Sequence, residues 1–233
     1  MLNDQNLLKN FIHKQGLNII GTGADGDIYQ KNDTIYKIMK PKSDDNEDIA
    51  KLNCNEASLS QYILENPNIT YMNVLPNIIK VGHIYNHPVI MRENLINIRE
   101  PIYNDPVFNK FMEDFIDQSI IEVMDYEYHF NETNFIKKWK KVGLLEEWIT
   151  NDEILTLGQS LYDMIYDGIL PHDISLENLG RDKNNNLKIR DMSRFQITID
   201  NEDAWNINLN KSYMRKNIKN IIENKKDYTI YSI

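Results

Sequence analysis

Apolar residues recur along this chain with two different periods. Leu7, Leu8, Phe11 and Ile12 fall on one side of a short amphipathic helix within residues 1–15. From Leu17 the spacing changes. "LNIIGTGADGDIYQKNDTIYKIMK" divides into Leu17–Ile20, Asp27–Gln30 and Thr34–Met39, with Lys31, Asn32 and Asp33 as a turn, and these runs predict strands. The acidic stretch "SDDNED" opens a helix at about Glu47, on which Ile49, Leu52, Leu59 and Ile63 keep helical spacing until Pro67 ends it. "NIIKVGHIYNHPVIMREN" predicts a hairpin about Asn86, His87 and Pro88.

Residues 95–150 look helical and highly charged, with a basic cluster at Lys137–Lys141. Thr150 and Glu153 fit a capping box. It opens a helix whose Ile154, Leu157, Leu161, Met164 and Ile165 form one stripe. "NLGRDKNNNLKIRD" then predicts a tight hairpin, and a basic helix is expected near 211–226. The order is that of a single α+β domain, with a β-rich lobe of about residues 1–93 containing one inserted helix and a mainly helical lobe of about 95–233. A functional cleft is expected between the lobes.

Composition narrows the function classes. The 233 residues are 41% apolar, enough for a substantial core, and the net charge of −9 disfavours nucleic acid or an anionic membrane as the main partner. No apolar run approaches the ~20 residues of a membrane span. One cysteine, Cys54, excludes an intrachain disulfide framework and suits a reducing, cytoplasmic compartment. Asn68 and Asn131 begin glycosylation sequons that only a secreted chain could use.

Candidate chemistry collects in five places. Gly21, Gly23 and Gly26 in "GTGADG" precede a strand pattern, so they belong to a strand–turn–strand; there they let backbone N–H groups approach a polyanion, or simply make a turn. Lys37 lies on an alternating strand. Glu56 falls on the inward stripe of the following helix, four residues after Leu52 and three before Leu59. A carboxylate buried there needs a cation, and Lys37 is the obvious one, unless the helix is rotated and Glu56 is solvated. Asp173 and Asn178 sit in "LPHDISLENLG", and the hairpin after Asn178 returns the chain to Asp191. Two carboxylates and an amide form the oxygen-rich set that Mg²⁺ takes when it also holds phosphates.

In order and spacing, these five elements resemble the protein-kinase fold over about residues 17–195. "PHDISLEN" resembles the catalytic loop H-R-D-L-K-P-E-N, and "IRDMS" the segment carrying D-F-G. By that resemblance Gly21, Thr22, Gly23, Ala24, Asp25, Gly26 and Ile28 cover the phosphates of ATP. Lys37 holds the α/β-phosphates braced by Glu56, and Met91 with the following Arg92, Glu93 and Asn94 forms the connector against adenine. Asn178 and Asp191 hold Mg²⁺, and Asp173 orients or deprotonates the acceptor hydroxyl. The implied activity is transfer of the γ-phosphate to a Ser, Thr or Tyr hydroxyl of a partner protein, which could be a host protein.

The departures are informative. Pro171 and His172 stand where the family has His and Arg, Ser175 where Ser/Thr kinases have lysine, and Met192 and Ser193 where it has Phe and Gly. No A-P-E follows. The short C-terminal region is similar to that of the minimal kinases of bacterial effectors or large viruses; an effector of that kind would be secreted without a cleaved signal peptide. The loss of the arginine implies that no activation-segment phosphorylation is needed, with activity either constitutive or dependent on a protein docking on the C-lobe. The alternatives are a small-molecule phosphotransferase of the aminoglycoside or choline kinase kind, a pseudokinase binding module, or a kinase fold that transfers AMP.

Overall fold

The structure is a computed structural model and describes residues 4–40, 47–98, 106–125, 129–142 and 149–197. The acidic residues 43–46 and the basic helix expected near 211–226 lie outside the described residues, as do the side chains of 47–55. The described chain forms two compact units. One draws on the chain up to Pro67 and on Asn77–Asn94, the other on Asn68–Pro76 and the residues from Leu95 on.

The first unit is a five-stranded antiparallel sheet with two helices. Helix α1 (Asp4–Gln15) leads into β1 (Asn18–Thr22), β2 (Gly26–Lys31) and β3 (Thr34–Met39). Helix α2 (Glu47–Glu65) follows, then β4 (Ile78–Ile84) and β5 (His87–Glu93). The strand order is β1-β2-β3-β5-β4, so the central strands are β3 and β5 although α2 separates them in sequence. Leu17, Tyr29, Tyr36, Ile38, Ile84, Val89 and Met91 form a buried cluster covered by Leu8, Phe11 and Ile12 of α1, as the period of that helix predicts. Helix α2 packs against β4 and β5 and buries Leu59 and Ile63. The β4–β5 turn is Tyr85-Asn86, with Tyr85 at φ +55°, so His87 and Pro88 belong to the strand rather than the turn. Pro88 is tolerated there at the first turns of the strand, next to the tip.

The second unit opens with the 3₁₀ turn Thr70–Val74, which the β-rich lobe was expected to contain. Its Tyr71 is fully buried, and Thr70 donates to Asp163 at 2.9 Å. Strand β6 (Ile96–Asn97) and helices α3 (Pro106–Met124), α4 (Glu132–Val142) and α5 (Asn151–Tyr166) follow. Phe111, Phe115, Phe130, Phe135 and Trp139 pack ring against ring, with centroids 4.7–5.9 Å apart, between these helices. In the "KKWKK" cluster Trp139 is buried and Lys137, Lys138, Lys140 and Lys141 are exposed, a solvated face. The stripe of α5 is buried throughout, and Thr150 and Glu153 form the expected reciprocal capping box. Two small sheets complete the unit. β8 (Leu179–Arg181) pairs with both β9 (Leu187–Ile189) and β6, and β7 (Ile169–Leu170) pairs with β10 (Gln196–Ile197).

Glu153 has a second role. Its carboxylate also takes two hydrogen bonds from Arg181 of β8, at 2.5 and 3.1 Å, and so ties the start of α5 to the hairpin. Burial alone would raise its pKa, but the bonds from Arg181 and Thr150 outweigh that and hold the carboxyl below its ordinary range. The native pKa is depressed, so the stabilisation is fully present above the unfolded value and is lost as pH falls through the native one. Glu153→Gln should therefore lower stability by about 0.5–2 kcal/mol at pH 7. Thermal midpoints of variant and wild type, measured from pH 7 down to pH 3, should converge in acid; a constant gap would show that the charge is not responsible.

Candidate functional site

In the first unit the site is set by the alternation of β3. Tyr36 and Ile38 face α1, so Ile35, Lys37 and Met39 face the other way. Lys37 pairs in register with Ile28 on one side and Ile90 on the other. Its ammonium lies 2.7 Å from the Glu56 carboxylate, and each side chain is only 5% exposed. The helix is therefore not rotated away: Glu56 is on the buried face.

The same alternation corrects the expectation for the connector. Met91 belongs to the cluster under α1, on the face of β5 opposite Lys37. Arg92, paired with Ile35, is the residue that shares the Lys37 face. Glu93 is still in the strand, and its carboxylate accepts the Asn77 N–H at 2.7 Å. The strand thus runs to Glu93, further than its apolar residues do, and residues expected to leave the sheet are still paired in it.

The glycine-bearing segment is the β1–β2 hairpin, with Thr22, Gly23 and Ala24 exposed and Asp25 half-buried. Gly23 N–H donates to the Gly26 carbonyl at 2.9 Å. Lys40 straps the loop to the end of β3: its N–H donates to the Asp25 carbonyl at 3.0 Å and its ammonium to the Gly23 carbonyl at 3.1 Å. A Cβ on Gly26 would lie 2.4 Å from the Ile38 carbonyl oxygen, so close approach of β3 already demands glycine there. At Gly21 and Gly23 a Cβ would meet nothing nearer than 3.9 and 3.5 Å. Those two positions leave room for backbone to approach a ligand.

In the second unit the β8–β9 register brings Asn178 and Asp191 to one end of the hairpin. Leu179 pairs with Ile189, and the Arg190 N–H donates to the Asn178 carbonyl at 2.6 Å. Asp173 is exposed and sits at φ +60°, in the left-handed region that non-glycine residues enter at a cost. Asn178 holds it there. Its side-chain amide donates to the Asp173 carbonyl at 2.8 Å and to the Asp173 carboxylate at 3.0 Å. This leaves the Asn178 amide oxygen turned away from its own N–H donors. Asp191 accepts the Ser193 N–H through one carboxylate oxygen, at 2.9 Å. Buried Ile174 and Leu176 anchor the loop on both sides of Ser175. The Ser175 hydroxyl is itself buried without a hydrogen-bond partner, so it points inward and offers nothing beside Asp173. Burial lowers the His172 pKa, only partly opposed by the charge of Asp117, and the ring is neutral at pH 7.

The donors fit Mg²⁺. Asn178 and Asp191 present hard oxygens, and Mg²⁺ takes one or two such ligands and completes its octahedron with water and phosphate. Among the described residues no group of three or more His, Cys, Asp or Glu side chains could form an all-protein metal cage. Sequence reasoning did not single out Lys40 or Arg190. The only signal for Arg190 was a long polar residue wedged between an apolar strand and Asp191.

The fold is α+β, with a five-stranded antiparallel sheet and five α-helices among the described residues. No protein-family model and no curated protein matches the sequence. Among solved structures the chain is similar to the crystal structure of WbdD, with a TM-score of 0.41 and 12% identity over 86% of this chain and 36% of that one. It thus spans about a third of the length of WbdD.

Removing one member of the Lys37–Glu56 pair strands the other charge in the interior. Glu56→Ala should cost about 3–5 kcal/mol, and the double variant Lys37→Met with Glu56→Leu should recover most of the loss. Urea unfolding of the three proteins checks this; a single variant as stable as wild type would mean that the ion pair is solvated.

Proposed function

We propose that this chain is an ATP- and Mg²⁺-dependent phosphotransferase that acts on a hydroxyl, in the first instance a Ser, Thr or Tyr side chain of a partner protein. The observation that carries the reading is the hairpin register that brings Asn178 and Asp191 to the same end of the hairpin, with an exposed Asp173 pinned by the same Asn178. An asparagine that both fixes a carboxylate and presents its own oxygen is hard to account for as a surface turn, because a turn needs neither the strained backbone at Asp173 nor the second bond.

In this reading the Lys37 ammonium binds phosphate oxygens, and Glu56 keeps the lysine extended and charged. The exposed backbone of Thr22–Ala24 closes over the same phosphates. Asn178 and Asp191 hold Mg²⁺, which when bound neutralises the charge that develops on the transferred group. Asp173 orients the acceptor hydroxyl and takes its proton as the new bond from that oxygen to the γ-phosphorus forms and the bond from the γ-phosphorus to the β,γ-bridging oxygen breaks, releasing ADP. The hydrogen bond from Asn178 aims the Asp173 carboxylate and leaves its remaining lone pairs for the acceptor.

Regulation follows from His172. In kinases switched by phosphorylation, the new phosphate pairs with basic residues that include the arginine before the catalytic Asp. A neutral imidazole offers no such charge. The protein is therefore active without that modification, alone or with a protein partner docked on its C-terminal part.

Mg-ATP should raise the thermal midpoint more than ATP with a chelator does; equal shifts would remove the metal assignment. Asp173→Asn should lower transfer about 10²–10⁴-fold while retaining the Mg-ATP shift. Undiminished transfer in that variant would rule out the role of Asp173. Treatment with phosphatase should leave transfer unchanged, and a loss reversed by rephosphorylation would refute the regulatory reading.

A further inference from the structure

Arg190 immediately precedes the candidate ligand Asp191, and it makes an unusual set of bonds. Its backbone N–H donates to the carbonyl of Asn178 at 2.6 Å, and its guanidinium donates to the carbonyl of Glu177 at 3.3 Å. One residue thus grips two successive carbonyls of the loop that carries the other ligand. The same guanidinium is hydrogen-bonded to the side-chain oxygen of Asn97 on β6. To reach both, the side chain crosses over Gly180 in β8. A Cβ on Gly180 would lie 2.8 Å from the Arg190 Cγ and Cδ and 3.0 Å from the Ile96 carbonyl oxygen. Glycine is the only residue that lets the arginine take this path with its far end anchored.

We infer that Arg190, laid across Gly180 and anchored on Asn97, is a positioning residue that sets the spacing of the two Mg²⁺ ligands, Asn178 and Asp191. The inference rests on the phosphotransferase reading for the identity of the ligands. The physical argument is one of rigidity. Mg²⁺ demands near-ideal octahedral geometry, so two protein oxygens must be held within a narrow separation before the ion arrives. The β8–β9 pairing covers only three residues on each strand, and both ligands lie beyond its end, where pairing alone would let them splay. The Arg190 backbone bond closes that end, and the guanidinium bonds stop Arg190 from rotating about it. Partners of this kind outside the coordination shell typically contribute about 10–100-fold in metal affinity or activity. Arg181 on the same hairpin serves as the contrast: its guanidinium turns instead to Glu153 and to the Asn185 carbonyl, a structural tie that touches neither ligand.

The test uses Mn²⁺ as a probe. Its binding to the full chain with ATP is measured as the enhancement of water-proton relaxation when protein is added to preformed Mn²⁺–ATP, against a protein-free Mn²⁺–ATP control, with thermal midpoints recorded alongside. Arg190→Gln should weaken Mn²⁺ binding about tenfold or more. Asn97→Ala, an exposed position that folding tolerates, should weaken it in the same direction, and so should Gly180→Ala. Combining Asn97→Ala with Arg190→Gln should add nothing, since both break one tie. Arg181→Gln should lower the midpoint without changing Mn²⁺ affinity. Wild-type affinity in both Arg190→Gln and Asn97→Ala would overturn the inference, and so would equal losses in Arg190→Gln and Arg181→Gln, because the effect would then be one of stability. If wild type itself binds no Mn²⁺ with ATP, the phosphotransferase reading falls, and this inference with it. If Arg190→Gln does not fold, Asn97→Ala decides.

Discussion

A lysine and a glutamate buried together constrain the first unit more than any other contact in it. Taking two charges out of water costs several kcal/mol each, and their attraction offsets this only when the geometry is close. At 2.7 Å, with both side chains almost fully covered, Lys37 and Glu56 meet that condition. The pair also dictates much of its surroundings. The phase of α2 must bring Glu56 to the sheet, and β3 must run in the middle, between β2 and β5, so that Lys37 has Ile28 and Ile90 beside it. An apolar pair of similar volume would fill the same space at no electrostatic cost. That the chain keeps the charges points to a use for them, and a lysine held extended and ionised is suited to phosphate oxygens.

The second unit solves a similar problem by another route. Asp173 and Asn178 lie on one short loop, and the β8–β9 hairpin returns the chain to Asp191 at the same end as Asn178. Backbone register, rather than burial, sets these residues in place. The Asn178 amide spans the loop, Arg190 closes the end of the hairpin, and the Glu153–Arg181 tie fixes the outer part of β8 to α5. The strain at Asp173 is tolerated because Ile174 and Leu176, which follow it in the loop, are buried. The result is a carboxylate held in position by Asn178 and open to solvent.

Local features were the most legible in the sequence. The capping box at Thr150, the stripe of α5, the turn after Lys31 and the start of α2 at Glu47 each depend on residues within one or two turns of chain, and each is present as its pattern predicts. The inward phase of Glu56 could be read from Leu59 alone. What could not be read were facts of long-range pairing. Whether Met91 or Arg92 shares the face of Lys37 depends on a register between β3 and β5 that local alternation does not reveal. The segment Asn68–Pro76 groups with the helical unit through Tyr71 and Thr70, although its position between two elements of the sheet argued otherwise. Gly26 looked like a phosphate-loop glycine for the same reason, whereas the close pass of β3 is enough to require it.

Under the proposed function these residues transfer the terminal phosphate of ATP to a hydroxyl. The most direct measurement is parallel incubation of the protein and a mixed protein acceptor with Mg²⁺ and ATP labelled either in the γ- or in the α-phosphate. The account predicts that γ-label appears on protein as an acid-stable phosphate ester while α-label does not. Covalent α-label would show transfer of AMP by the same fold, and the absence of both labels from protein and from added small-molecule alcohols, with ATP still bound, would contradict phosphotransfer altogether.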